Sequence, residues 1–281
     1  MAASRTRRQR EIRRHVWIYG ALTPYIVIAI FPIYWMAITA FKQDPDLYRM
    51  DQFPLWFHLP PTLRHFSYLF YNTNYGAWIV NTMVIAAWVA VITLLIAVPA
   101  GYALARLRLP WRSAILLAFL LPQAIPNLPV YVNIAQVFYQ IGLNGTILGV
   151  VLVHASHGLV LAVWIASAAF ASVDVSLEEA SRNLGASPLT CFRTVTLPLA
   201  APGLIASAIF VFLESLDEFT GTYFVGVPDV TTLPLLMFNA SMGGNYQIAS
   251  ITALLLLIPS IGFMLVVERF LKADVLAMVG R

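Results

Sequence analysis

Six long stretches of this chain are apolar and nearly devoid of charge, and that pattern decides which solvent it can fold in. They lie at about 16–40, 77–104, 113–130, 146–170, 199–219 and 249–267. A hydrocarbon core of about 30 Å takes roughly 20 helical residues at 1.5 Å each, so every stretch is long enough to cross a bilayer. Hydrophobic residues make up 60% of the chain and charged residues 11%, where a soluble domain carries about 25% charged. The expected fold class is an all-α integral membrane protein with six transmembrane helices. Pro24, Pro32, Pro122, Pro126 and Pro259 lie in or near these stretches. Membrane helices tolerate proline where neighbours satisfy the freed carbonyl.

The segments between the stretches give an orientation. Fourteen of the seventeen Lys and Arg residues fall on one side. They are six arginines before the first stretch, Arg106, Arg108 and Arg112, then Arg182 and Arg193, and finally Arg269, Lys272 and Arg281. Lys42, Arg49 and Arg64 on the other side are offset by Asp44, Asp46 and Asp51. The positive-inside rule predicts both termini in the cytoplasm. The basic run from Arg5 to Arg14 precedes the first stretch as a signal peptide would. That stretch is too long for a signal core of about 7–15 residues, so it is expected to be retained. The predicted organisation is a basic cytoplasmic tail over 1–15 and a membrane domain over 16–281. The single cysteine, Cys191, excludes an internal disulfide and a multi-cysteine metal site.

Two outer segments carry no basic residue. In 131–145, Ile134, Val137, Phe138 and Ile141 repeat at helical spacing opposite Asn133, Gln136 and Gln140, which predicts a short interfacial helix stopped by Gly142. In 220–247, Gly221, Gly226, Pro228, Pro234, Gly243 and Gly244 predict a looped excursion.

The cytoplasmic segment 172–198 is long for a connection and carries helix punctuation. Ser176 followed by Glu179 fits a capping box. Glu178 and Glu179 suit the first turn of a helix. Leu177, Ala180, Ser181 and Leu184 fall on one face, and Glu178 can pair with Arg182 at i,i+4. Gly185 sits where a helix ends with a left-handed residue. Ser187-Pro188 starts a second helical turn, and Pro198 marks entry into the fifth span. Physics alone leaves a solvated helical hairpin as the equal alternative.

The motif here is Glu179-Ala180-Ser181, three residues, Gly185, nine residues, Val195-Thr196-Leu197-Pro198. It resembles the cytoplasmic signature of binding-protein-dependent ABC importer permeases. Further segments resemble the sugar-permease branch. They are Pro32-Ile33-Tyr34-Trp35 with Phe41-Lys42, Asn81-Thr82, Gly101-Tyr102-Ala103-Leu104-Ala105-Arg106, Ile141-Gly142-Leu143 and Pro202-Gly203. The tail 275–281, within a cytoplasmic tail over 268–281, resembles one that reaches toward the ATPase. Leu184-Gly185-Ala186 and Leu216-Asp217-Glu218-Phe219 depart from that branch and look more like polyamine and iron permeases.

The resemblance implies an ABC type I importer permease fold in a bacterial or archaeal inner membrane. It implies 172–198 as the coupling segment, with Leu177, Glu178, Glu179, Ala180, Arg182, Leu184, Gly185 and Pro198 meeting the ATPase. Implied partners are a second homologous permease subunit (a heterodimer), two ABC ATPase subunits and an extracytoplasmic binding protein. Met242, Gly243, Gly244 and Asn245 are the implied binding-protein contact. No phosphate-loop motif occurs in the sequence, so ATP and Mg are expected in the partner ATPase and no cofactor or catalytic residue in this chain.

Charged side chains at mid-bilayer cost about 2.5–3.5 kcal/mol on insertion scales and need a reason. Glu214, Asp217 and Glu218 share a face near the outer end of the fifth stretch. Glu214 is either a wall of the translocation path or an interhelical anchor; interfacial solvation is expected for Asp217 and Glu218. His154 and His157, three residues apart, suit interhelical hydrogen bonding better than metal, for want of a third ligand. Asn81 either faces the path or caps a neighbour. The path candidates are Asn81, His154, His157, Glu214 and Asp217. The expected function is uptake of sugar or polyol, with a polyamine or metal chelate as the alternative cargo. An ion-coupled secondary transporter should show two repeated halves with broken midplane helices, and the sequence shows no such repeat.

Overall fold

In the computed structural model, the apolar stretches fold as helices. It describes the backbone of residues 2–49, 51 and 53–279, and the side chains of 13–49, 51 and 53–266. No strand occurs among the described residues. In chain order the helices are α1 (Ala2–Phe41), α2 (Asp44–Leu47), α3 (Arg64–Asn72), α4 (Tyr75–Arg106), α5 (Arg112–Leu120), α6 (Asn127–Gln140) and α7 (Ile147–Ala171). They continue with α8 (Val175–Asn183), α9 (Pro188–Cys191), α10 (Leu197–Asp217), α11 (Thr220–Val225), α12 (Leu233–Met242) and α13 (Tyr246–Val279). A 3₁₀ turn follows α5 at Leu121–Ala124, and a π turn joins α9 to α10 at Phe192–Thr196. Side chains of the predicted C-terminal tail and of most of the basic N-terminal run lie outside the described residues.

Among the described residues, five continuous helical segments are long and apolar enough to span: Arg13–Phe41, Tyr75–Arg106, Ile147–Ala171, Pro188–Asp217 and Tyr246–Val266. The third predicted span is corrected. Arg112–Ala124 and Asn127–Gln140 meet at a 91° bend. The bend falls at Ile125-Pro126. Proline removes a backbone donor and pushes the preceding residue toward extended geometry, and Ile125 has ψ 131°. The interfacial helix predicted from residue 131 is therefore the second arm of this bent pair, beginning at Asn127.

The looped excursion over 220–247 is also corrected, since α11 and α12 occupy most of it. Gly221 and Gly226 serve packing, while Gly244 keeps a turn role. A Cβ on Gly221 would stand 3.0 Å from the Val153 side chain, and one on Gly226 would stand 2.9 Å from the Thr222 carbonyl oxygen.

The chain divides into two compact units. In the larger, Asn74–Asn239 and the chain from Leu255, a core forms between α4, α7 and α10. Ile85, Val89 and Ala97 of α4 belong to it, with Val150, Val163, Ala166 and Phe170 of α7 and Leu204 and Val211 of α10. Small residues set the spacing. A Cβ on Gly101 would lie 2.7 Å from the Ala166 Cβ, and one on Gly203 would lie 2.6 Å from the Ala169 Cβ. Lipid gives helices no hydrophobic reason to associate, so close backbone approach and dispersion hold them together.

The smaller unit holds the chain up to Thr73 and Ala240–Leu254. Its centre is an ion cluster. Lys42, 1% exposed, lies 3.5 Å from the Asp46 carboxylate, and the His58 ring lies 3.1 Å from the same oxygen. Burial works against the ionised Asp46, but the His58 amide and ring and the Lys42 charge outweigh it and hold the carboxyl below its ordinary range. Phe41 stacks on Phe66 at 5.2 Å, and the Phe41 carbonyl accepts from the Thr62 amide. The apolar side chains of α1 from Val16 to Phe31 are largely exposed, so lipid or another subunit must cover them.

Candidate functional site

The cytoplasmic segment is two short helices around a tight turn. Asp174 caps α8, its carboxylate accepting from the Ser176 amide at 2.9 Å, and that bond lowers the Asp174 carboxyl below its ordinary range. The N-cap is thus two residues earlier than the predicted Ser176, and with Leu177 three residues after Asp174 the expected capping box does not form. The C-terminus of α8 closes as expected. Gly185 has φ +88°; its amide donates to the Arg182 carbonyl at 2.9 Å and the Ala186 amide to the Ser181 carbonyl at 3.2 Å. This is the Schellman arrangement that glycine favours. Ser187 then caps α9 through the Thr190 amide, with Pro188 at the first helical position.

The two faces of α8 differ. Leu177, Glu179, Ala180 and Arg182 are exposed, and so is Leu189; Leu184 reaches 90%. Pro198 is exposed at the second position of α10. Glu178 corrects the reading of a partner-facing acid, because it is 4% exposed and turned inward. Its Oε1 accepts from Arg106 Nε at 2.8 Å and from the Thr196 hydroxyl at 2.9 Å. Arg106 also donates to the Val173 carbonyl at 2.8 Å. The Glu178–Arg182 pair is replaced by one with a residue 72 positions away. Below it Tyr102, Phe170 and Phe192 form an aromatic triangle with centroids 4.9 to 6.0 Å apart. Arg106 and Thr196 fall inside segments the sequence marks as family-like, but no sequence feature gave either a role in holding Glu178.

A second polar cluster lies in the larger unit where α7 meets α10 and α11. His154 is 3% exposed, and its ring nitrogens lie 2.9 Å from the hydroxyls of Ser215 and Thr222. It is an interhelical tie and not a path-lining group, which corrects its place among the path candidates. His157 differs: its Nε2 lies 3.2 Å from Glu214 Oε1, and both side chains are 21% exposed. The other Glu214 oxygen is buried without a hydrogen-bond partner. Glu218 accepts from the Tyr131 hydroxyl at 3.1 Å and the Gly221 amide at 2.9 Å. It anchors α6 and starts α11 while staying half-exposed, so it has a structural role beside the expected interfacial solvation. Asp217 is exposed. Asn81 donates to the Thr231 carbonyl at 3.2 Å, the neighbour-capping alternative. Among the described residues no group of three His, Cys, Asp or Glu could hold a metal.

In the smaller unit the turn 242–245 is tethered from below. The Tyr48 hydroxyl donates to the Gly244 carbonyl, and the Gln247 amide donates to Asp44 at 2.8 Å. Gly244 has φ +73°, and Met242 is 73% exposed. A cleft of about 420 Å³ beside the turn is lined by Asp44, Tyr48, Arg64, His65 and Asn245 among others.

The described helices form a membrane domain with a capped helix pair, α8–α9, on the connection between α7 and α10. Residues 97–273 match the family described as "Binding-protein-dependent transport system inner membrane component", and the chain belongs to it. It is 26% identical over 264 residues to the diacetylchitobiose uptake system permease protein of Streptomyces coelicolor, covering 93% of this chain and 95% of that one. It is 27% identical over 262 residues to the trehalose transport system permease protein of Mycobacterium tuberculosis, covering 91% and 94%. Among solved structures, a chain of a bacterial ABC transporter that imports the acidic polysaccharide alginate superposes with a TM-score of 0.69 at 17% identity, over 91% of this chain and 97% of that one. That likeness carries the fold, an ABC type I importer permease.

Proposed function

We propose that this chain is a permease subunit of an ATP-driven importer of sugars or polyols, pairing with a second, homologous permease around the translocation path. Two ATPase subunits dock on its cytoplasmic segment and supply the ATP and Mg chemistry; this chain binds no cofactor. A binding protein meets the outer turn Met242, Gly243, Gly244, Asn245. The carrying observation is the α8–α9 pair. It offers Leu177, Leu184 and Leu189 to solvent on a segment whose turn is fixed by Gly185, and an exposed apolar face on a rigid short helix is what a partner's cleft takes. The sugar class rests on the relatives' chitobiose and trehalose systems. A second reading, a cationic cargo such as a polyamine or metal chelate, is favoured by the half-buried Glu214 carboxylate and by the departures at 184–186 and 216–219.

Gly185→Val tests the docking reading. The position has open space around it within this chain, so nothing internal blocks the side chain. The cost is the positive φ, about 1 kcal/mol or more for a non-glycine residue. The expected result is loss of ATP-coupled uptake and of ATPase co-purification, with all spans still inserted. Full uptake with normal ATPase binding would reject the segment as the docking element.

A further inference from the structure

We propose that Glu178 is the pin through which movement of the cytoplasmic helix pair is delivered to the second and fifth spans, and that it touches no ATPase. The inference rests on the docking reading above and adds the route inside this chain. Three observations carry it. The Glu178 carboxylate is buried on the inner side of α8 while Leu177, Glu179 and Leu184 on the same helix are exposed. One oxygen of that carboxylate receives both the Arg106 guanidinium, at the cytoplasmic end of α4, and the Thr196 hydroxyl, in the π turn leading into α10. Arg106 at the same time holds the Val173 carbonyl in the α7–α8 connection.

The ends of two spanning helices, α4 and α10, therefore converge on one side chain of the docking helix, and Arg106 ties in the chain just after α7. The Cys191 thiol, buried, also reaches the Glu178 carbonyl at 3.6 Å. A charge-assisted hydrogen bond is short, directional and about twice as strong as a neutral one. In a buried setting it resists separation, because either partner left alone would be an uncompensated charge. Push or pull on α8 then moves α4 and α10 with it and does not slide past them. The π turn fits this role. It gives the segment below α10 an irregular register, the kind of helix defect often found at functional sites. That register directs Thr196, fully buried, at Glu178.

The test uses the intact transporter reconstituted in vesicles with its ATPase and binding protein. The measured quantity is the ratio of binding-protein-stimulated to basal ATP hydrolysis, alongside uptake and the amount of ATPase co-purified. Glu178→Gln keeps the shape and removes the charge. It should leave ATPase co-purification and basal hydrolysis unchanged and lower the stimulated-to-basal ratio about tenfold, within the range of ordinary coupling between sites. Arg106→Gln should do the same, and the double variant should be no worse than either single one, because both act through one contact. Thr196→Val, nearly isosteric, should lower the ratio by a smaller factor. It serves as the reporter where Glu178→Gln fails to assemble, and an unchanged ratio in Thr196→Val would then overturn the proposal. Loss of ATPase binding in an assembled Glu178→Gln permease would overturn it by placing Glu178 in the docking face. An unchanged ratio would overturn it by making the contact merely structural, and additive losses in the double variant would show two separate roles. Gly185→Val in the same preparations separates the two claims: if it binds ATPase and transports normally the docking reading falls, whatever the Glu178 ratio does.

Discussion

His154 and His157 stand one turn apart on α7, and their surroundings divide their roles. Both nitrogens of His154 are taken by hydroxyls of its own chain, so nothing remains to offer a cargo. His157 spends one nitrogen on Glu214 and stays partly open, and Glu214 keeps a buried oxygen without a partner. That oxygen is closed to solvent and faces Gly158, so what a passing hydroxyl or cation can meet is the exposed 21% of the Glu214 side chain beside His157. Glu214→Gln should therefore slow uptake without reducing the amount of assembled complex. A cationic cargo should lose more than a neutral sugar, because it loses an opposite charge as well as a charge-assisted hydrogen bond. Initial uptake rates normalised to purified complex decide it. Reduced assembly with unchanged uptake per complex would make Glu214 an anchor. At this scale the sequence was legible in part. Two histidines at i,i+3 in an apolar helix announce a polar contact, and interhelical bonding was the better reading for His154. Nothing local announces that Glu178 turns inward and Glu179 outward. That choice is made by Arg106, 72 residues earlier in the chain and invisible to any window of sequence.

Helices pack here by the absence of side chains. Gly101 of α4 sits against Ala166 of α7, where an added Cβ would lie 2.8 Å from backbone atoms. No rotamer change relieves a clash with backbone, so Gly101→Val must separate the helices, at a cost of about 1–3 kcal/mol or more. The expected outcome is a lower melting temperature in detergent and less assembled complex. Gly76→Ala, with open space at its Cβ, is the control. Equal melting temperatures for the Gly101→Val protein and the parent would show that the α4–α7 interface yields more than these distances allow. Element existence was legible from hydropathy because length and lack of charge are enough to name a span. Two elements were misread for physical reasons. The run through Leu121-Pro122-Gln123-Ala124-Ile125-Pro126 carries no charge, so the third span looks straight, and only Gln123 and the two prolines hint at the 91° break. In 220–247 glycine was taken as a turn signal. There Gly221 instead lets α11 approach α7, and a rule about loops cannot tell those uses apart.

For the whole molecule, the distribution of charge makes a prediction that the helices make testable. In the six-span topology expected from the sequence, fourteen of the seventeen basic residues fall on the side of segment 172–198, and the positive-inside rule assigns that side to the cytoplasm. One span, α10, separates residue 184 from the turn 242–245 along the chain, so that topology puts residues 184 and 242 in opposite compartments. Both are suited to labelling, with Leu184 90% and Met242 73% exposed. The native Cys191 is 1% exposed and is replaced by alanine to give a clean background. Cysteine at 242 should then react with a membrane-impermeant maleimide added to whole cells, and cysteine at 184 only after the membrane is opened. Reaction of both from one side would break the alternation on which the orientation depends, and with it the placing of the ATPase at α8. Reaction in the reverse sense would leave the alternation intact and overturn the orientation. The binding protein adds a second layer to the same experiment. If it docks on the outer turn, its presence should protect cysteine 242 from the reagent and leave the reactivity of cysteine 184 unchanged. Protection of neither site, at binding-protein concentrations that stimulate ATP hydrolysis, would move the docking surface away from Met242–Asn245.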